Sequence, residues 1–275
     1  MMQLTAAQDG NLLDLLRELG PDSSKTTLRS WVAQGRVSVD GKQVTDTRVQ
    51  VKQGQEVKVG SKCLFARENI KILFEDAHIV VILKPEGLLT VATDFDQEFT
   101  AHTVLKNRHE GQVYPVHRLD RETSGVMVFA YTEAARDKLK EVFYTHDIER
   151  EYLALVEGRP TPDKGTWEST LIEQADYSVR SAPGGKLAIT HYEVLKQKGQ
   201  FTLLRLKLQT GRKNQIRVHC KEAGFPITGD KKYGAKTHAF GRLCLHAQKL
   251  AFLHPITKKP LSFESPVPEM FHAAK

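Results

Sequence analysis

Apolar residues recur at helical spacing near the start of the chain and at strand spacing through most of the rest. Leu12, Leu13, Leu15, Leu16 and Leu19 share one face of an amphipathic helix over residues 11–19, which Gly20-Pro21 ends. Ser24 or Thr26 caps a second helix with an apolar stripe of Leu28, Trp31 and Val32, and Gly35 supplies its stop. Alternating valines then flank Asp40-Gly41, a hairpin signal because this turn needs positive φ at both central residues. Val49, Val51, Val57 and Val59 continue the strand pattern to about residue 59.

Residues 61–74 read as a linker running into a strand at Ile70–Phe74. Ile79–Leu83 and Val126–Ala130 are unbroken apolar runs of strand length, and Tyr152–Val156 and Phe201–Leu208 alternate as strands do. Ala134, Ala135, Leu139, Val142 and Phe143 share a face of a helix over 133–145. Thr210-Gly211-Arg212 predicts a turn into a helix around 213–223, with Gly224 just past it. The segment from Pro160 to Gly185, with three prolines and three glycines, is the expected mobile loop.

A chain of 275 residues has room for one large or two smaller domains. Its formal net charge of +7 fits a polyanionic partner. Cys63, Cys220 and Cys244 are far apart without a Cys-x-x-Cys pair, which argues against a disulfide framework or zinc site and for thiols in a reducing compartment. The N-terminus has no basic flank leading into an apolar core, and no stretch of 18 apolar residues occurs. A cytoplasmic protein with no membrane contact is expected.

The most informative residue is Asp120, within His117-Arg118-Leu119-Asp120-Arg121-Glu122-Thr123-Ser124-Gly125. This polar run leads into the apolar strand at Val126 and so lies at a strand mouth, where scaffolds usually place chemistry. A carboxylate held beside an arginine stays ionised at neutral pH.

The run resembles the HRLDxxTSG motif of the RluA-type pseudouridine synthases. Lys84-Pro85-Glu86-Gly87 is similar to that family's KPxG segment, Tyr152–Gly158 to its YxALVxG segment, and Leu208–His219 to its LxTGRxHQIRVH segment. Gly229-Asp230, Tyr233-Gly234 and Leu243–Ala247 follow in the family's order, so the likeness spans about residues 75–268. One departure is Asn214, where the family commonly has histidine. Upstream, Leu28-Arg29 through Val44 and Gly54–Val57 resemble the S4 RNA-binding domain, with Lys25, Arg29, Arg36 and Lys42 as its expected RNA-contact surface. Pattern and resemblance together give an α+β protein. A small αα-β-hairpin S4-like domain over residues 1–62 precedes a mixed, mainly antiparallel sheet with flanking helices over 70–275.

The resemblance implies RNA pseudouridine synthesis: the uridine glycosidic bond breaks, the base turns, and C5 rejoins the ribose. This isomerisation has no redox step, and no cofactor or metal is expected. Asp120 would act as nucleophile or as base, and both roles stay open. Arg217 would be its ion-pair partner, with Arg212 the weaker candidate. Tyr152 would stack on the flipped base, and Ile216 would close the apolar side of the pocket. Arg118 would fill the space the base leaves or hold the displaced strand. His117 would contact phosphate or orient the loop, and Lys84 would contact RNA phosphate or brace it.

RNA is the expected partner, ribosomal rather than transfer RNA because S4-bearing members often act on the large ribosomal subunit. DNA is not expected, and the chain is taken as a monomer. The alternatives are the same chemistry on transfer RNA, an inactive RNA-binding assembly factor, and a glycosidic hydrolase using paired carboxylates.

Overall fold

The computed structural model describes residues 2–33, 36–44, 46–60, 70–92 and 100–274. Gly35, Cys63 and the linker stretch 61–69 lie outside them. The N-terminal unit runs β1 (Met2–Thr5), β2 (Gly10–Asn11), α1 (Leu12–Leu19), α2 (Lys25–Ala33), β3 (Val37–Val39), β4 (Lys42–Gln43), β5 (Gln50–Val51) and β6 (Glu56–Val59). Asn11 caps α1 by accepting the Leu13 N–H at 2.9 Å, and Ser24 Oγ accepts the Thr27 N–H at 3.1 Å at the start of α2. Asp40 and Gly41 take φ of 48° and 75°, as the hairpin turn requires. Strand order is β1-β6-β3-β4, with β2 paired to β5. Leu12, Leu16, Leu28, Val32, Val37 and Val57 form the core under the two helices.

The larger unit comprises β7 (Lys71–Glu75), β8 (Ile79–Lys84), α3 (Ala101–Arg108), β9 (Tyr114–Pro115), β10 (Ser124–Ala130), α4 (Glu133–Thr145) and β11 (Glu149–Glu157). It continues with β12 (Lys164–Glu173), β13 (Val179–Ser181), β14 (Lys186–Lys198), β15 (Phe201–Leu208), α5 (Gln215–Glu222), β16 (Leu245–Leu253) and β17 (Pro260–Glu264). One sheet runs β13-β12-β14-β15-β11-β16-β10-β8-β7, with β17 on β16 and β9 on β10. Its described pairings are antiparallel except β10 with β16.

The apolar runs at β8 and β10 are unbroken because both faces are covered. Val80, Ile82, Met127 and Phe129 pack with Val104 and Leu105 of α3. The alternate residues Ile79, Val81, Val126 and Val128 pack with Ala135 and Leu139 of α4.

The expectation of a mobile loop over 160–185 is corrected, because half of that segment is β12 and β13. Its glycines serve close approach rather than turns alone. A Cβ at Gly165 would lie 2.7 Å from the Tyr192 ring, and one at Gly185 would lie 2.7 Å from the Leu171 backbone.

Gly125 lies at the β10–β16 pairing, just beyond Asp120. Its φ is +124°, and a Cβ there would stand 2.1 Å from the Ala247 carbonyl oxygen. Gly125→Ala is therefore expected to cost about 3 kcal/mol or more, since backbone rather than a movable side chain must shift. A chemical-denaturation midpoint equal to that of the wild type would refute this.

Candidate functional site

The loop carrying Asp120 is held from behind. Thr90 Oγ1 accepts the Leu119 N–H at 3.1 Å and donates to the Leu119 carbonyl at 2.8 Å. Arg121 donates to the Gly87 carbonyl at 3.1 Å. Lys84 Nζ donates to the carbonyls of Leu88 (2.7 Å), Pro85 (2.9 Å) and Arg121 (3.3 Å). All three ammonium protons are thus used, and burial pulls the group down to about 7, with Asp120 acting in the opposite direction. Lys84 is the brace and not a phosphate ligand, which removes it from the expected RNA contacts.

His117 is engaged on one side of its ring and lines the cleft described below. Its Nε2 accepts the Val128 N–H at 3.1 Å, and its ring stacks on Phe143 with centroids 4.4 Å apart. Burial pushes the imidazole down to about 3, helped by Arg150.

The structure brings Asp120, Tyr152, Ile216 and Arg217 together around a pocket of about 70 Å³. It opens into a cleft of about 750 Å³ whose lining includes Arg118, Arg212 and Asn214. Arg217, on α5, places Nη1 at 3.4 Å from Asp120 Oδ2. Its tighter partner is Asp230, which accepts from Nε at 2.7 Å and from Nη2 at 2.8 Å. Glu122 lies 3.6 Å from Nη1. Burial pulls Arg217 down, yet Asp230, Asp120 and Glu122 outweigh it and hold the guanidinium above its ordinary range.

Burial pushes the Asp120 carboxyl up, against the pull of Arg217. Tyr152, two strands from β10, has its hydroxyl pushed by burial up to about 12 and stays neutral. Arg212 bonds no carboxylate in the pocket, and its Nε donates to the Leu187 carbonyl at 2.9 Å.

Asp230 went unnoticed as a partner in the sequence. A signal for it exists in physical terms: one carboxylate cannot satisfy the five N–H donors of a buried arginine.

Asn214 is the second contact that sequence reasoning missed. Tyr233 Oη accepts the Val179 N–H at 3.1 Å, which leaves its own proton to donate to Asn214 Oδ1 at 2.9 Å. The Asn214 amide nitrogen then faces Asp120, 2.7 Å from Oδ2 and 3.2 Å from Oδ1. Asn214 has a φ of 52° at the N-terminus of α5, a left-handed conformation that asparagine tolerates well.

On the N-terminal unit, Lys25, Arg29 and Lys42 are exposed. Arg36 is partly committed within its own unit. Its Nε donates to the Gly60 carbonyl at 3.0 Å and its guanidinium lies 5.2 Å from the centre of the Trp31 ring.

A family model described as RNA pseudouridylate synthase matches residues 78–222, and one described as S4 domain matches residues 11–57. The Bacillus subtilis (strain 168) protein named "Uncharacterized RNA pseudouridine synthase YhcT" is 33% identical over 95% of this chain and 91% of its own. "Ribosomal large subunit pseudouridine synthase D" of Vibrio parahaemolyticus is 33% identical over 96% of this chain and 89% of its own. The solved structure of "Human RNA Pseudouridylate Synthase Domain Containing 4" superposes with a TM-score of 0.61 at 26% identity, over 74% of this chain and 90% of that one. A match over more than half of the chain, and relatives aligned along nearly all of it, place this protein among the RNA pseudouridylate synthases, as an RluA-type enzyme with an S4 domain at its N-terminus.

Proposed function

We propose that the protein isomerises specific uridines of large-subunit ribosomal RNA, with Asp120 as the catalytic carboxylate. The observation that carries this reading is the placement of Asp120. It sits at the join of a narrow pocket and a wide cationic cleft, with Arg217 at 3.4 Å and Tyr152 on the same pocket wall. The ribosomal target is supported by relatives named for the large ribosomal subunit and by the S4 domain. A cytoplasmic location belongs to the same reading; among the described residues no helix is long and apolar enough to cross a membrane.

In this mechanism the uridine leaves its stack and enters past Arg118. Its base lies against the Tyr152 ring, and Asp120 reaches the ribose. Arg217 favours the ionised carboxylate in a pocket whose burial favours the neutral acid. The Asn214 N–H does the same, because it donates to the charged form.

The reading is tested by mapping pseudouridine across total RNA from cells lacking the protein, rescued by wild type or by Asp120→Asn. Sites in large-subunit RNA should vanish and return only with wild type. An unchanged map removes the target and the chemistry together.

In vitro, Asp120→Asn is expected to lower turnover by roughly 10³-fold or more while RNA binding persists. The same substitution should stabilise the fold at neutral pH. A carboxyl raised by burial costs nothing below its unfolded pKa; its cost grows as pH rises through the folded value and is then constant. The gain in Tm should therefore fade on acidification, and a gain that grows towards acid contradicts the assigned direction.

Asn214→Ala removes a donor to the ionised carboxylate. The acid limb of the kcat/KM profile should move to higher pH by about one unit. A limb that stays in place would show that Asn214 does not act on Asp120.

Replacing both Lys25 and Arg29 by Gln should lower the slope of log affinity against log salt by about 0.7–0.9 for each phosphate no longer neutralised. An unchanged slope tells against RNA binding through α2.

A further inference from the structure

Arg150 lies on β11, two residues before Tyr152, and the two side chains line the same cleft. It is 8% exposed, and its Nε has no hydrogen-bond partner. Nη2 reaches His146 Nδ1 at a long 3.4 Å, and among the described residues no carboxylate pairs with the guanidinium. Glu173, the other acid of the cleft besides Asp120, is bonded to Lys213. A guanidinium carries five donors and does not lose its charge in proteins. Leaving it buried and unpaired is costly unless an anion completes it.

The surroundings are built to hold this group. A Cβ at Gly211 would lie 2.5 Å from Arg150 Nη1, so the glycine of the Thr210-Gly211-Arg212 turn leaves room for the guanidinium tip. Gly211 is not at positive φ, so this contact rather than backbone freedom is what a side chain there would disturb. Arg118, Arg212 and Lys213 line the same cleft, and Tyr144 on its rim is 85% exposed. A cation aimed into a groove with an exposed aromatic beside it is the make-up of a single-stranded RNA track.

We propose that Arg150 binds a backbone phosphate of the RNA, one adjoining the uridine held against Tyr152. The proposal rests on the RNA substrate reading above and adds to it a specific anchor inside the cleft. The phosphate supplies the partner that the guanidinium lacks, and the ion pair forms only when RNA is bound. Arg150 thus fixes the position of the nucleotide rather than taking part in bond making.

The test compares wild type with Arg150→Met, which keeps the bulk and removes the charge. The probe is large-subunit ribosomal RNA transcribed in vitro, with affinity measured across a salt series. The variant should bind roughly tenfold more weakly at fixed salt, and its log–log salt slope should be smaller by about 0.7–0.9. Its Tm without RNA should rise by roughly 2–4 °C, since an unpaired buried charge is gone. Gly211→Ala, which displaces the guanidinium tip, should shift affinity in the same direction.

An unchanged slope overturns the proposal whatever the Tm does, and a lowered Tm with that slope marks Arg150 as structural. Conversion of uridines in the transcript by wild type is measured in parallel. If wild type binds the transcript but converts no uridine, the ribosomal target falls while the slope still decides Arg150. If wild type binds no RNA, both fall.

Discussion

The site depends on how one buried arginine is shared between two aspartates. Asp230 takes two donors of Arg217 in a bidentate pair at 2.7 and 2.8 Å, which fixes the plane of the guanidinium. What remains for Asp120 is one Nη1 contact at 3.4 Å. This unequal division matters for chemistry. A carboxylate gripped by two short charged bonds stays ionised, but its basicity and nucleophilicity fall with its pKa. A buried carboxylate with no cation is neutral and inert. With Asp230 holding the arginine, Asp120 receives only part of its positive potential, and burial leaves the carboxyl above its ordinary range.

The loop around Asp120 is fixed with the same economy. Thr90 takes both backbone groups of Leu119, Lys84 takes the Arg121 carbonyl, and the Asp120 carbonyl accepts the Thr123 N–H at 3.1 Å. His117 anchors the other end on the Val128 N–H. Such a loop loses little entropy when substrate arrives, because its backbone is ordered beforehand. Gly125 belongs to this arrangement, since it lets the strand that follows the loop run against the Ala247 carbonyl.

Much of this was legible because the local code was strong. The Asp40-Gly41 turn, the unbroken run at Val126–Ala130 and the helix at Glu133–Thr145 each follow from period or turn chemistry, and the structure has all three. The segment at 160–185 misled because proline and glycine were taken as loop signals. Gly165 and Gly185 are small for the sake of Tyr192 and Leu171, neighbours that only the folded sheet supplies.

The site was legible only in part, for a related reason. Asp120 and Arg217 stand in recognisable strings, and the structure places them 3.4 Å apart. Lys84 and His117 carry side chains suited to phosphate, but all three Lys84 donors go to backbone carbonyls and His117 Nε2 is taken by the Val128 N–H. Asn214 shows the converse. Its departure from histidine is visible in the sequence, yet its bond to Asp120 depends on a Tyr233 hydroxyl already engaged by Val179, from a different strand.

Two buried basic side chains of this unit make the distinction between frame and function concrete. Lys84 has three donors and three carbonyls, all from the turns it braces, so its environment is complete without substrate. Arg150 has five donors, one long hydrogen bond, the Phe143 ring 5.8 Å away and an orphaned Nε. Burial lowers both pKa values, but only the lysine can shed its charge in response. The lysine's deficit is met inside the protein, and the arginine's is not. A fold that keeps a permanent charge so incompletely satisfied, on the wall where the substrate must lie, has left part of its electrostatic complement to the molecule it binds.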